Sequence, residues 1–182
     1  RRAGITFIGP PSQVIRDMGH KDNAKSIMVK AGVRVLPGFS CVNKKQAEIE
    51  TAANTLGYPI LLKAANGGGG KGMRVVLKSG ELVEALTAAS REAEAAFGNG
   101  DLIVEKFIDH PRHIEVQIFG DSHGNFIHLF ERDCSIQRRH QKIIEEAPAS
   151  HITTSLREEI TSAAVKAAKA IKYENAGTIE FL

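Results

Sequence analysis

The sequence has 182 residues, room for one ordinary domain or parts of two small ones, and enough to bury a real core. Apolar residues make up 42% and charged residues 25%, close to the average of a soluble globular protein, and 24 basic against 21 acidic residues argue for no polyanionic partner. Cys41 and Cys134 lie far apart without metal-ligand spacing, so a reduced compartment is expected rather than disulfide-rich secretion. No apolar run approaches the roughly 20 residues that cross a bilayer, and no signal-like segment opens the chain. The chain starts at Arg1 and stops at Thr178-Ile179-Glu180-Phe181-Leu182, an apolar run that reads as an unfinished strand, so a piece of a longer protein is expected.

Ile5 to Ile8 reads as a short buried strand closed by Gly9-Pro10-Pro11. Ser12 caps a helix through about Met18, and a second helix from Asp22 to Ala31 stops at Gly32. Pro37-Gly38 marks a turn, and Asn43 is the expected cap of a helix ending near Leu56. Strands follow at Pro59–Ala65 and Met73–Leu77 on either side of a glycine run, then a helix from Glu81 to Phe97 and a strand from Leu102 to Phe107. After Pro111 the pattern alternates cleanly: Ile114, Val116 and Ile118 face one side, His113, Glu115 and Gln117 the other. Asp121–Asn125 is turn chemistry, which predicts an antiparallel hairpin with Phe126–Asp133. Ser155 and Glu158 form a capping box for a helix to about Ile171, and Gly177 precedes a last strand. The class is α+β.

Asn66-Gly67-Gly68-Gly69-Gly70-Lys71-Gly72 is the strongest local signal, because glycines let backbone N–H groups turn toward an anion and Lys71 adds a charge. It is not a P-loop, which would need glycine at Ala65 and Ser or Thr at Gly72. It matches the letters of the dinucleotide fingerprint, yet Met73-Arg74-Val75-Val76-Leu77 is strand-like where that fingerprint needs a helix. Strand, glycine run, strand is how kinases cover phosphates, but the other kinase motifs are missing. A flexible phosphate flap is favoured over a linker, since two apolar strands flank the run, and it is expected to be among the least ordered parts without nucleotide.

Lys63, ending an apolar strand just before the glycines, points to phosphate rather than to a buried carboxylate, and Lys21 is a plausible second contact. Glu105-Lys106-Phe107-Ile108 can offer backbone hydrogen bonds to a flat base, or be a plain strand end. Arg138-Arg139-His140-Gln141-Lys142 lacks the aromatic interleaving of a nucleic-acid site, and Glu145-Glu146 would repel phosphate, so a small-anion site is preferred. The histidines lack zinc spacing, so His110 and His113 are not read as ligands. Glu180, acidic in an apolar strand, faces water or ligates Mg²⁺.

In this order, Phe7-Ile8-Gly9-Pro10, Met18-Gly19-His20-Lys21, Lys63-Ala64-Ala65 with Gly67–Met73, Val104–Phe107, Pro111–Gln117, Glu131–Lys142, Glu145–Pro148 and Gly177–Leu182 resemble the biotin carboxylase family of ATP-grasp enzymes across essentially the whole chain. The long run from Glu131 to Pro148 is the specific part, and the family usually has aspartate where His20 stands. The resemblance implies a truncated ATP-grasp fold: residues 1–35 as the tail of a preceding domain and linker helices, 36–107 as the lid, and 108–182 as the first part of the C-terminal lobe. It implies that Lys21, Lys63, Gly69 and Gly70 hold ATP phosphates, that Glu105, Lys106, Phe107 and Ile108 contact adenine, and that His113, Gln137 and His140 lie along the nucleotide. Lys142 would bind bicarbonate as the catalytic lysine, and Glu180 would ligate Mg²⁺, with Mn²⁺ as an alternative. The implied reaction makes carboxyphosphate from ATP and bicarbonate and carboxylates biotin on a carrier domain. The implied partners are the biotin carboxyl carrier and a carboxyltransferase in a homo-oligomeric parent of the cytosol or mitochondrial matrix, with no nucleic acid and no membrane. The piece alone is expected to lack turnover. Carbamoyl phosphate synthetase, another ATP-grasp ligase, and a nucleic-acid module using Arg138–Lys142 are the competing readings.

Overall fold

The computed structural model describes residues 4–66, 72–138 and 141–182. The chain divides into two compact units, one of residues 1–18, 27–34 and 111–182, the other of residues 19–26 and 35–110.

The unit of residues 19–26 and 35–110 is built on a four-stranded antiparallel sheet of order β1-β4-β2-β3, with β1 Gly38–Ser40, β2 Ile60–Ala64, β3 Arg74–Val76 and β4 Leu102–Lys106. Ile60, Leu62, Val76 and Val104 are wholly buried against Ala53 of helix α3 (Gln46–Leu56) and Ala89 and Ala93 of helix α4 (Leu82–Phe97). Each such apolar side chain contributes about 1.5–3 kcal/mol on burial, and alanines on the helices let the sheet approach closely. Gly98 ends α4 in the left-handed conformation at φ 67°.

The other unit has a sheet of order β7-β6-β5-β8, with β5 Ile114–Gly120, β6 Phe126–Arg138, β7 Gln141–Glu146 and β8 Asn175–Phe181. Ile114, Val116 and Ile118 pack on Ile160, Ala164 and Ala168 of helix α5 (Thr154–Ala170), so the expected alternation holds and His113, Glu115 and Gln117 are left to the opposite face. Helices α1 (Ser12–Gly19) and α2 (Lys21–Lys30) precede both sheets.

Several expectations are corrected. Ile5 to Ile8 is not a buried strand: Ile5, Phe7 and Ile8 are 71%, 67% and 86% exposed, and no strand among the described residues pairs with them. Pro37 bends the chain and Gly38 opens β1, where a Cβ would clash with the Val104 carbonyl oxygen, so glycine permits the close approach of β1 to β4. Asn43 caps nothing; it takes φ 58° in the preceding turn, and α3 starts where the Lys45 amide donates to Glu48 Oε2 at 2.7 Å. Thr153, extended and accepting the Leu156 amide through Oγ1 at 3.2 Å, caps α5 in place of Ser155, which lies inside the helix. The basic run ending at Lys142 leads into β7, a strand absent from the sequence reading.

Candidate active site

In the unit of residues 19–26 and 35–110, Glu105 sits near the end of β4, only 6% exposed. Leu61 is its cross-strand partner, so Lys63, two residues along β2, lies diagonally on the same face. Lys63 Nζ approaches Glu105 Oε2 at 2.6 Å, and Lys25 Nζ approaches Oε1 at 2.7 Å. Lys63 therefore faces a buried carboxylate, contrary to the sequence expectation, because the diagonal register brings the two side chains together. Burial would push the Glu105 carboxyl up, but the two lysines outweigh it and hold it below its ordinary range. Lys21 Nζ donates to the Ala64 carbonyl at 2.9 Å, and its pKa is lowered by burial and then by Lys63, against the pull of Glu105 and Asp22. Three lysines thus face two carboxylates, an excess of positive charge partly withdrawn from water. Lys106, on the opposite face of β4, spends its ammonium on the Gly57 and Tyr58 carbonyls at 2.8 and 3.1 Å. The Lys106 and Phe107 amides donate to Pro37 and Pro59, so these donors are already engaged; Phe107 and Ile108 are half-buried.

In the other unit, every strand of the sheet contributes charge to one cluster, β7 two and the others one each. Glu115 of β5, 2% exposed, is directly opposite Arg132 of β6 and Glu180 of β8. Arg132 Nη2 lies 2.5 Å from Glu115 Oε1 and Arg132 Nε 3.4 Å from Glu145 Oε2. Lys142 of β7 donates to Glu115 Oε2 and, at 2.9 Å, to Glu180 Oε1. Burial works against both charges of the Glu115–Lys142 pair, yet hydrogen bonding and the neighbouring charges prevail: the Glu115 carboxyl is held low and the Lys142 ammonium is raised. Both are charged at neutral pH. An ammonium has three donors, and two are used here among the described residues.

Gln137 Nε2 donates to the Cys134 carbonyl at 2.8 Å, which orients its amide and makes His113 Nδ1, 2.9 Å away, an acceptor. The His113 proton then resides on Nε2, a buried atom without a hydrogen-bond partner among the described residues, 3.3 Å from Glu180 Oε1. Cys134 is fully buried beside Glu115. Three carboxylates, Glu115, Glu145 and Glu180, face Arg132 and Lys142, so this cluster leans negative.

Residues 20–182 match the family described as carbamoyl-phosphate synthase L chain, ATP binding domain. The chain belongs to that family. It is 53% identical over 181 residues to the mitochondrial methylcrotonoyl-CoA carboxylase subunit alpha of Dictyostelium discoideum, covering 100% of this chain and 26% of the relative. It is 58% identical over 180 residues to the mitochondrial pyruvate carboxylase of Homo sapiens, covering 99% and 15%. Among solved structures, the biotin carboxylase domain of Hydrogenobacter thermophilus 2-oxoglutarate carboxylase, in complex with MgADP, ADP and bicarbonate, superposes with a TM-score of 0.92 at 51% identity, covering 99% of this chain and 40% of that one. Campylobacter jejuni biotin carboxylase gives 0.93 at 49%, with 99% and 40% covered. The fold is therefore part of a biotin carboxylase ATP-grasp domain, and the chain spans about a quarter or less of the curated relatives it matches.

Of the residues singled out from sequence, one biotin carboxylase unit brings His113, Gln137, Lys142 and Glu180 together, and the other brings together Lys21, Lys63 and Glu105. Gly69, Gly70 and His140 lie outside the described residues, as does the expectation about order in the glycine run. Sequence reasoning missed Lys25, Glu115, Arg132 and Glu145. Glu115 carried a usable signal, an acid on the polar face of a strand whose other positions pack into the core. His113 was not read as a metal ligand, yet strand pairing brings His113, Glu115 and Glu180 to offer ligand atoms within 4.8 Å of one another, which spacing along the chain does not show. No helix among the described residues is long and apolar enough to cross a membrane.

Proposed function

We propose that this chain supplies part of the active site of a biotin carboxylase, which uses ATP and bicarbonate to carboxylate carrier-bound biotin through carboxyphosphate. The observation that carries the reading is Lys142, an ammonium held between Glu115 and Glu180 with a third N–H to offer a small anion. Bicarbonate fits that donor; its oxygen attacks the γ-phosphorus, the bond to ADP breaks, and carboxyphosphate results.

Lys21 and Lys63 are assigned to phosphate, together with Gly69 and Gly70, because an anion would offset the burial and the Lys63 charge that lower the Lys21 pKa. Glu105 to Ile108 are assigned to adenine, with Glu105 contributing backbone since its carboxylate is spent on lysines. His113, Gln137 and His140 are assigned to the length of the nucleotide, the lone His113 Nε2–H being an available donor. The donor set suits Mg²⁺ or Mn²⁺: Glu180 is a half-exposed carboxylate in a cluster with surplus negative charge, and such ions take one or two carboxylates plus phosphate oxygens. When bound, the metal neutralises phosphate charge. Lys142 orients the anion and holds Glu180 in place.

The partners that follow are a biotin carboxyl carrier and a carboxyltransferase within a homo-oligomeric parent; the mitochondrial relatives favour the matrix. Residues 36–107 would serve as lid and 108–182 as the start of the C-terminal lobe. In the full-length enzyme, Lys142→Gln is expected to lower bicarbonate-dependent ADP release at least about 100-fold; wild-type-like turnover would refute the assignment. The family description favours carbamoyl phosphate synthesis as a second reading. Stimulation of ATP turnover by free biotin separates the two.

A further inference from the structure

The first turns of helix α2 lay two lysines over neighbouring strands. Lys21 and Lys25 are four residues apart and so share a face of the helix. Lys21 Nζ donates to the Ala64 carbonyl at the end of β2, and Lys25 Nζ lies 2.7 Å from Glu105 Oε1 on β4. Asp22, between them in sequence, accepts Ser40 Oγ of β1 through Oδ2 at 2.8 Å, which fastens the start of the helix to the sheet. The second oxygen of Glu105 is taken by Lys63, 2.6 Å away.

One carboxylate cannot neutralise two ammoniums. With Lys25 in place Glu105 is shared, and part of the Lys63 charge is left for an anion that approaches it. The side chains of Lys25 and Lys63 are 24% and 21% exposed and that of Glu105 is 9% exposed, so water and salt screen these charges less than on an open surface. Without Lys25, Glu105 and Lys63 close into a neutral pair. The local balance of three lysines to two carboxylates becomes two to two, and the surplus positive charge is gone. Glu105 keeps a partner in that state, so its burial stays compensated.

We infer that Lys25 is a positioning residue for ATP: by taking one oxygen of Glu105 it prevents the neutralisation of Lys63 and keeps that lysine available to phosphate. The inference rests on the assignment of Lys63 to phosphate. The effect falls on ATP binding rather than on the chemical step, since Lys25 is not assigned to the reacting atoms.

The test is calorimetric titration of the full-length enzyme with MgATP, beside steady-state bicarbonate-dependent ADP release. Lys25→Met and Lys25→Gln are each expected to weaken ATP binding about fivefold, with kcat within about twofold and little change in Tm. Lys25→Arg keeps the charge and a donor toward Glu105 and should hold most of the affinity. The decisive variant combines Lys25→Met with Glu105→Gln. It leaves two lysines against one carboxylate, so the surplus returns and most of the affinity with it, which loss of a mere helix anchor would not allow. Lys63→Met is the control. If it leaves ATP affinity unchanged, the phosphate assignment of Lys63 falls and this inference with it. If Lys63→Met weakens binding while both neutral Lys25 variants match the wild type, or if the double variant stays as weak as Lys25→Met, the phosphate assignment stands and the role of Lys25 is overturned.

Discussion

Glu105 and Glu115 hold the same kind of place in two different sheets. Each is a buried acid on an interior strand, and each is gripped by two basic side chains. The surroundings differ in sign. Around Glu105, Lys21, Lys25 and Lys63 outnumber the carboxylates, and burial, then the neighbouring Lys63, lowers the Lys21 pKa. Around Glu115, Glu145 and Glu180 tip the balance the other way, and against the effect of burial the hydrogen bonds and charges of Glu115 and Glu180 raise the pKa of Lys142. A buried acid with surplus lysines sits in a positive local potential, whereas one with surplus carboxylates keeps its lysine firmly charged. The pairing motif is common to both; the neighbouring charges set the local potential.

The largest test of that contrast is removal of the acids. Glu115→Ala leaves Arg132 and Lys142 without their shared buried partner and is expected to cost about 3 kcal/mol. Glu105→Ala should cost about 1–2 kcal/mol, because flexible lysines can swing toward water. Chemical denaturation of both variants measures the gap, and equal losses would break the comparison. Next, Lys63→Ala should weaken ATP binding about tenfold, about 1.4 kcal/mol, with little loss of stability, since Lys25 keeps Glu105 paired. Calorimetric titration with ATP reads this, and an unchanged affinity would return Lys63 to a purely structural role.

Acid titration sharpens the comparison further. Both glutamates are held below their ordinary 4.5, so the stability they contribute is present above that value and is lost as pH falls through their lower folded values. The denaturation midpoint should fall steeply below about pH 4.5, and less steeply in Glu115→Gln and Glu105→Gln. A profile unaffected by either substitution would count against ionised pairs. The smallest expected effect is at Lys21. An anion bound beside it raises its lowered pKa, so phosphate binding at alkaline pH should take up a fraction of a proton. Calorimetry in two buffers of different ionisation heat detects the uptake, and none should remain in Lys21→Met.

Strands and helices with strong periodicity were legible in the sequence: β5 by its alternation, and α4 by its length and the glycine that ends it. β7 was not, because Gln141-Lys142-Ile143-Ile144-Glu145-Glu146 has no clean alternation and gains its order by pairing with β6 across shifts of register. Ile5–Ile8 misled for the opposite reason, having strand-forming residues but no pairing partner. At the site, residues carried by the family resemblance were visible, while Glu115, Arg132 and Lys25 were not. Their importance arises from cross-strand register, and a diagonal or opposite pairing leaves no spacing to read along the chain. The Lys63–Glu105 pair is the clearest case, since these two residues are 42 apart in sequence and meet through registers of β2 and β4.

The wholly buried Cys134, lying against Glu115, has a consequence outside phosphate chemistry. Burial and then the nearby carboxylate push its thiol up to about 11, and burial does the same for the half-buried Cys41, also to about 11. Oxidants and alkylating agents attack the thiolate, which is scarce at such values. The sulfur beneath the charged strand face is therefore a poor nucleophile toward peroxides and electrophiles at neutral pH.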